Sequence, residues 1–313
     1  MTTYDVLLQG SAYCDLTFSF TSRDQMPQLG QEVFADRFAI NPGGIFIIVS
    51  TLTRLGVSVG WRTELGSDIF SRFIGEQMQQ RGIPDELVLG RDEPLPLVTA
   101  GVSFPHDRLF ISYQTPRFPD DALALTDSDL DRFRPRVLFT YGEVGLDLMR
   151  AARERGILVY LDTFWNPEHL RSAHLRSLLD HVDVFAPNLI EAQEMTQSED
   201  VEGALDTLSA WCRGGVIKCG ERGCVGWRGR ERFEIPALPV AAVETTGAGD
   251  NFNAGLIYGL LRGWSFETCL RCGNIAGGLS TRSLGGCEGT VSAAEIDGWL
   301  QRLGWQPARK EAS

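Results

Sequence analysis

Lysine is nearly absent from this chain: Lys218 and Lys310 are the only two lysines among 313 residues, and arginine supplies the other basic side chains. A phosphate-binding loop of the Gly-Lys-Ser/Thr type needs a lysine directly after a glycine, and neither lysine stands in that setting. This class of nucleotide site is therefore excluded. Any nucleotide chemistry must use an anion site that such a lysine does not build.

Long apolar runs and clusters of basic residues are missing as well. No run approaches the roughly 20 residues that span a membrane, and the first twenty residues lack a basic start and contain Asp5 and Asp15. We therefore expect no signal peptide and no membrane contact, and we place the protein in the cytoplasm. The formal charge of −12 opposes binding to nucleic acid, because phosphate backbones repel an acidic surface.

Metal and disulfide signatures are also lacking. Seven cysteines are an odd number without the density of a disulfide scaffold, which suits a reducing compartment. Cys269 and Cys272 form the one tempting pair, but no second pair or nearby histidine completes a metal site, so we interpret both as structural thiols. The four histidines show no metal spacing and are interpreted as structural or surface residues: His106, His169, His174 and His181.

The most informative stretch is Val243–Gly263, where a glycine-rich turn precedes apolar residues at helical spacing. Such a turn points free backbone N–H groups of Gly247, Ala248 and Gly249 at one place, with the positive end of a helix dipole behind them. This predicts an anion site. Asp250 stands at its mouth, where a carboxylate can accept a proton from an attacking hydroxyl. The alternative is that Asp250 only caps the helix.

Apolar runs and amphipathic stretches alternate from Arg136 onward, which predicts a parallel sheet with helices on both faces. Ligands of such open sheets lie at the carboxyl ends of the strands. Six polar residues or glycines follow apolar runs directly, and we expect them along one edge of the sheet: Glu143, Asp162, Asn166, Asn188, Glu191 and Gly220.

Two further segments, at about 12–41 and 97–118, alternate apolar and polar residues as half-exposed strands do. They predict a small sheet that stands off the main body, although ordinary edge strands would show the same pattern. Between the first of them and the next helix, the run from Asn41 to Gly44 is expected to break the chain, and its diglycine, Gly43 and Gly44, admits close approach to a ligand.

Asn188 and Glu191 lie three residues apart on a predicted helix, and their oxygens suit Mg²⁺ held partly through water. A helix-capping box explains the same spacing. Lys218 lies in a predicted strand that leads to the turn of Gly220 and Gly223. It can reach a phosphate, or it can extend its amine to solvent.

Taken in order, these motifs resemble the ribokinase-like (PfkB) carbohydrate kinases over nearly the whole chain. The resemblance implies one α/β domain over residues 1–313, with a three-layer ribokinase-like fold, a mainly parallel central sheet and a small β-sheet lid inserted at 12–41 and 97–118. It implies ATP and Mg²⁺, a sugar-like acceptor, a homodimer through the lid, and Asp250 as catalytic base beside an anion hole of Gly247, Ala248 and Gly249. It assigns the acceptor to Asp15, Gly43, Gly44 and Glu143. It assigns nucleotide and Mg²⁺ contacts to Asn188, Glu191, Lys218, Gly220, Gly223, Asn274 and Gly277.

The sequence departs from the family pattern at two positions. Glu244 replaces an aspartate that is tied to a monovalent cation, which leaves potassium activation undecided. Ile47 replaces an acceptor-binding asparagine, and because it falls off the apolar stripe of its helix we expect it to face the acceptor and to disfavour simple sugars such as ribose. The expected function is ATP-dependent phosphorylation of a sugar or sugar acid. A nucleoside kinase and a catalytically silent sugar-binding or regulatory protein on the same fold are the alternatives.

Overall fold

The computed structural model describes residues 2–22, 27–95, 97–105, 108–114, 123–142, 144–283 and 286–305. Its strands are β1 (Val6–Gln9), β2 (Ala12–Ser19), β3 (Arg37–Gly44), β4 (Val59–Leu65), β5 (Val88–Gly90), β6 (Leu97–Ser103), β7 (Arg108–Gln114), β8 (Val137–Thr140), β9 (Leu158–Leu161), β10 (Val184–Phe185), β11 (Gly214–Lys218), β12 (Cys224–Arg228) and β13 (Glu231–Ile235). Its helices are α1 (Ile45–Arg54), α2 (Ile69–Arg81), α3 (Asp127–Phe133), α4 (Leu146–Glu154), α5 (Pro167–Leu170), α6 (Ala173–Leu178), α7 (Leu189–Thr196), α8 (Val201–Trp211), α9 (Ala248–Leu261), α10 (Phe266–Ser280) and α11 (Ala293–Arg302).

Two sheets organise these elements. In the described residues the large sheet has the order β13-β12-β11-β10-β9-β8-β1-β4-β5, and its strands run parallel apart from β12, which pairs antiparallel with β11 and β13. Alternate side chains of one strand enter different cores, as Val137 and Leu138 of β8 do. One core lies under α1, α2, α9, α10 and α11, and the other lies under α3 to α8. The predicted three-layer fold with a mainly parallel sheet is confirmed.

The small sheet has the order β3-β2-β6-β7. Its strands lie within the two segments predicted for the lid, except that β3 continues to Gly44; residues 106–107 and 115–118 fall outside the described part. The expectation that Asn41–Gly44 breaks the chain is wrong, because these residues pair with Ala12–Asp15 of β2.

The two faces of this lid differ in character. Asp15 lies on one face, and the opposite face exposes the apolar side chains of Phe38, Ile40, Ile111 and Tyr113. The homodimer contact through the lid stays a prediction. Within the described residues, no helix combines the length and the apolar character that crossing a membrane requires.

Helix α1 is buried around most of its circumference. Every residue from Ile45 to Leu52 is buried, because the helix packs between the large sheet, the base of the lid and α9. Ile47 is only 3% exposed, and its Cδ1 atom lies against the backbone of Gly247 and Gly286. Ile47 therefore belongs to the core, although it falls off the apolar stripe of its helix; the expectation that it faces the acceptor and disfavours simple sugars stays a prediction.

Candidate active site

Four neighbouring strands of the large sheet place polar side chains at one edge. Tyr141, Asp162 and Asn188 follow β8, β9 and β10, and Lys218 ends β11. These strands are parallel, so their carboxyl ends meet at the same edge. The first turn of α9 lies over this edge, since a methyl group placed on Gly249 would be 3.5 Å from Lys218 Nζ. The structure thus joins residues that are as far apart as 109 positions in the sequence.

The glycine turn begins α9 as its sequence predicts. Gly247 has a φ of +73°, the left-handed conformation that favours glycine, and a methyl group on it would lie 2.8 Å from the Cα atom of Gly286. The amide of Ala248, which we expected to be free for an anion, instead donates to the carbonyl of Thr245 at 3.2 Å. Within the part of the chain that the structure describes, the amides of Gly247 and Gly249 have no hydrogen-bond acceptor.

A buried asparagine, Asn251, holds this turn in place. The sequence analysis did not identify it. Asn251 is fully buried, and its Nδ2 donates to the carbonyls of Gly247 and Gly286 at 2.9 and 3.0 Å. Its Oδ1 accepts a hydrogen bond from the Thr51 hydroxyl of α1 at 2.6 Å. A polar residue inside the apolar run of α9 was the available signal. The bonds fix the direction of the amides at the start of α9.

Asp250 is the third residue of α9 and does not cap it, because Gly247 occupies the cap position without a side-chain bond. The Asp250 Oδ1 atom instead accepts a hydrogen bond of 2.7 Å from the Tyr141 hydroxyl. Burial raises the pKa of Asp250 to about 7. The Tyr141 bond and the charge of Lys218 act in the opposite direction, and Asp162 and Asp15 add to the rise. This carboxyl group therefore titrates near neutral pH.

Lys218 forms a buried ion pair with Asp162. The Lys218 Nζ atom lies 2.8 Å from Asp162 Oδ2, and the two side chains are 13% and 4% exposed. Asn253 of α9 also donates to Asp162 Oδ2, and the Tyr160 hydroxyl donates to Asn253 Oδ1 at 2.9 Å. Of the two alternatives for Lys218, extension of its amine to solvent is wrong, and contact with a phosphate stays a prediction. The roles of Asp162 and Asn253 depend on contacts that spacing along the chain does not reveal.

Asn188 and Glu191 form a capping box at the start of α7. The Asn188 Oδ1 accepts from the Glu191 amide at 2.9 Å, and the Glu191 Oε2 accepts from the Asn188 amide at 2.8 Å. Burial, and then the Asp162 carboxylate, raise the pKa of Glu191 to about 7, whereas Lys218 opposes the rise. Glu191 therefore forms the capping box and also lies close enough to Asp162, Lys218 and Asp250 for their charges to shift its pKa.

The lid contributes a further acidic residue, Asp15, whose charge acts on Asp250. The Asp15 carboxylate lies against Gly43, where a methyl group would be 2.1 Å from Asp15 Oδ2, and the Tyr13 ring covers Gly44. Burial, and then Glu244, raise the pKa of Asp15 to about 6. Asn41 pairs with Asp15 in the sheet and is 8% exposed. Its Nδ2 atom is buried and has no hydrogen-bond partner in the described residues.

Several predicted contacts lie elsewhere. The Asn274 side chain donates to the carbonyls of Ile235 and Pro236, and Gly277 packs against Ala248 in the contact between α10 and α9, so the structure gives both a packing role. Gly223 packs against the backbone of Ile235, whereas Gly220 lies exposed in the same turn. Asn166 is exposed and caps α5. Glu143 lies outside the described residues.

No group of three or more His, Cys, Asp or Glu side chains among the described residues is placed to hold a metal ion. Mg²⁺ rarely needs such a cage, because one or two carboxylates, water and phosphate oxygens usually hold it. The raised pKa values of Glu191 and Asp250 show that burial and like charges make their ionised forms costly. The carboxyl oxygens of Glu191 and Asp250 therefore fit a Mg²⁺ ion that is held mainly through water and phosphate.

The chemistry that this arrangement supports follows from its charges. A carboxyl group with a pKa near 7 can accept a proton from a hydroxyl. Amides at a helix start, with Lys218 beside them, stabilise an anion. The site therefore suits transfer of an anionic group to a hydroxyl that lies between Asp250 and the lid.

Comparisons with known proteins agree with this architecture. The family described as pfkB family carbohydrate kinase matches residues 35–293. A ribokinase of Lactococcus lactis is 24% identical over 310 residues, which cover 94% of this chain and 96% of that protein.

Two solved structures share the fold. The ribokinase of Arabidopsis thaliana complexed with ribose and ATP superposes with a TM-score of 0.80 at 21% identity, covering 96% of this chain and 99% of that one. The nucleoside kinase of Burkholderia thailandensis in complex with inosine superposes with a TM-score of 0.78 at 20% identity, covering 97% and 99%.

Proposed function

The chain belongs to the pfkB family of carbohydrate kinases, and we propose that it transfers the γ-phosphoryl group of ATP to a hydroxyl of a sugar or sugar acid, with Asp250 as the general base. One observation carries the proposal: the Asp250 carboxyl group, with its pKa near 7, stands beside the amides that begin α9. The nucleotide and the acceptor would meet there, the first over α9 and the second under the lid.

The proposed transfer is an in-line displacement. The acceptor oxygen forms a bond to the γ-phosphorus as the bond to the bridging oxygen breaks, and ADP leaves with that electron pair. Asp250 takes the proton of the acceptor hydroxyl. Such transfers need mainly positioning and charge stabilisation, which the amides of Gly247 and Gly249 and the amine of Lys218 supply. Bound Mg²⁺ would neutralise phosphate charge, and Asn188 and Glu191 would hold it through water.

A panel assay tests this proposal. ADP release is measured with ATP, Mg²⁺ and individual sugars, sugar acids and nucleosides, each compared with a reaction without acceptor. We expect at least one sugar or sugar acid to stimulate ADP release strongly. Release that no acceptor in the panel stimulates would instead support a silent binding protein on this fold.

A nucleoside kinase is the second candidate, and one feature of the lid favours it. Phe110 pairs with Gly101, which pairs with Thr17, so the Phe110 ring lies on the same face as Asp15. The ring is 53% exposed and packs over Gly101. An exposed aromatic ring on the acceptor face can stack on a nucleobase. Stimulation by nucleosides alone in the panel would select this candidate.

The magnesium role of Glu191 gives the first mutational prediction. Glu191→Gln keeps an acceptor for the Asn188 amide, so the capping box survives while the charge is lost. We expect the Mg²⁺ concentration for half-maximal rate to rise by about 10- to 100-fold, the range found when residues that orient a metal's ligands are altered. Glu295→Gln is the matched control, because Glu295 forms the capping box of α11. An equal Mg²⁺ requirement in both variants would reduce Glu191 to a helix cap.

The unpaired amide of Asn41 gives a second prediction. We propose that an oxygen of the acceptor pairs with Asn41 Nδ2, next to Asp15. Asn41→Val would then lower kcat/KM for the acceptor by roughly 5- to 150-fold, the equivalent of about 1–3 kcal/mol. The free energy of unfolding should rise, because an unpaired polar group leaves the interior. An unchanged KM for ATP is the internal control. A more stable variant with normal acceptor kinetics would remove Asn41 from the acceptor site.

A further inference from the structure

We propose that Tyr141 is a positioning residue for the phosphoryl transfer: its hydroxyl holds the Asp250 carboxylate in one orientation and favours its ionised form at neutral pH. The proposal rests on the proposed function, since it assigns Tyr141 a role through Asp250. Tyr141 itself would contact neither substrate. The Tyr141 hydroxyl lies 2.7 Å from Asp250 Oδ1, and no other side chain in the described ranges bonds to that carboxylate.

The position of the Tyr141 ring is set by its surroundings. Tyr141 is the first residue after β8, and its ring meets that of Phe139 edge to face, with 5.2 Å between centroids and 88° between planes. Gly142 follows with a φ of +96°, a conformation that favours glycine and turns the chain at once. The phenol is therefore held by its strand, its neighbouring ring and the turn. Asp250 approaches it from the separate helix α9.

The direction of this hydrogen bond is fixed as well. Burial, and then the Asp250 charge, raise the pKa of Tyr141 well above its ordinary value, so the phenol stays protonated and donates. Oδ1 of Asp250 is thereby occupied, and Oδ2 is left to accept the proton of the acceptor hydroxyl. A donor to the ionised form lowers a carboxyl pKa. Tyr141 thus opposes the effect of burial on Asp250.

Other charged and titratable groups face Asp250 from the surrounding elements, and Tyr141 acts among them. Asp162 and Asp15 raise its pKa and Lys218 lowers it. Glu191 and Cys287 are near enough to be influenced by the Asp250 charge. Tyr141 is the member of this group whose side chain donates a hydrogen bond to the Asp250 carboxylate. Without this bond, Lys218 is the member of the group that still opposes the rise in the pKa of Asp250.

The test is the pH profile of kcat/KM for the acceptor in Tyr141→Phe, a change that removes one oxygen and keeps the ring on Phe139. In the wild-type enzyme the rate should rise with pH through about 7, as Asp250 ionises. In the variant this limb should move upward by about one to two pH units, the size expected for a hydrogen bond to a charged group. At pH 7 the rate should fall roughly 5- to 50-fold and should return toward the wild-type value above pH 9. The KM for ATP should not change.

Tyr4→Phe is the matched control. The Tyr4 hydroxyl donates to the Glu86 carboxylate at 2.8 Å, at the opposite end of the large sheet. This variant shows what loss of a comparable bond does to stability, and its pH profile should match that of the wild type. A Tyr141→Phe profile that keeps its midpoint, whether the rate is normal or uniformly lower, overturns the proposal. The proposed function is contradicted separately, by normal turnover in Asp250→Asn. If Asp250→Asn is inactive and the pH profile of Tyr141→Phe is unchanged, only the role of Tyr141 is wrong.

Discussion

Replacing Asp250 with asparagine is expected to lower kcat by on the order of 10² to 10⁴, the range that a lost general base produces, while the affinity for ATP changes little. Asparagine keeps the shape of the side chain and can still accept the hydrogen bond from Tyr141. It cannot accept a proton from the acceptor hydroxyl. The measurement is steady-state phosphoryl transfer at saturating ATP, with ATP affinity determined separately by titration.

The stability of Asp250→Asn distinguishes lost chemistry from lost folding. Burial raises the pKa of Asp250 from 3.8 to about 7 in the folded protein. Its contribution to stability is therefore fully present below about pH 4 and is lost as the pH rises through 7. Asparagine does not titrate, so at pH 8 the variant should be at least as stable as the wild type. Asp200→Asn, at the N-cap of α8, is a control with the same chemical change. Near-normal turnover in Asp250→Asn would exclude the base role.

Replacing Lys218 with methionine should reduce both stability and activity. The change leaves Asp162, which is 4% exposed, as a buried carboxylate without its cation. Breaking a buried pair from one side costs about 3–5 kcal/mol, and we expect a loss of this size in the free energy of unfolding. The rate should also fall by roughly 10²- to 10³-fold, as it does when one donor to a developing charge is removed.

The double variant Lys218→Met, Asp162→Asn separates the two effects. The amide at position 162 still offers an acceptor to Asn253, and no buried carboxylate is left at position 162 without its cation. Stability should therefore return close to the wild-type value. The rate should stay low, because the positive charge beside Gly249 is still absent. Recovery of both stability and rate in the double variant would mean that Lys218 serves only to balance Asp162.

The sequence predicted the parts of the molecule that depend on local pattern. The turn before α9, the parallel strands and the lid strands each follow from the spacing of glycines and apolar residues over short windows. The gathering of Asp162, Asn188 and Glu191 at one edge could be predicted because parallel strands share the direction of their carboxyl ends. Each of these features depends on the course of the backbone, which residues close together in the sequence determine.

The contacts that complete the site could not be predicted in this way. The Tyr141–Asp250 bond spans 109 positions and the Lys218–Asp162 pair spans 56, so neither leaves a periodic signal. The burial of Ile47 was not predicted, because it lies off the apolar stripe of α1. An apolar stripe marks the buried side only where the other side of the helix meets solvent, whereas α1 is enclosed. The bonds from the Asn274 amide to the carbonyls of Ile235 and Pro236 likewise span 39 and 38 positions, so the sequence pattern did not reveal them; a nucleotide contact of Asn274 stays a prediction.

The central claim is that this chain moves a phosphoryl group from ATP to a hydroxyl with Asp250 as base. Its most direct test follows the γ-phosphoryl group of labelled ATP into a panel of sugars, sugar acids and nucleosides, with wild-type protein and Asp250→Asn side by side. The account predicts a labelled, phosphorylated acceptor with the wild type and 10²- to 10⁴-fold slower labelling with the variant, which should bind ATP normally. Equal labelling by the two proteins, or no labelled acceptor from the wild type, would contradict it.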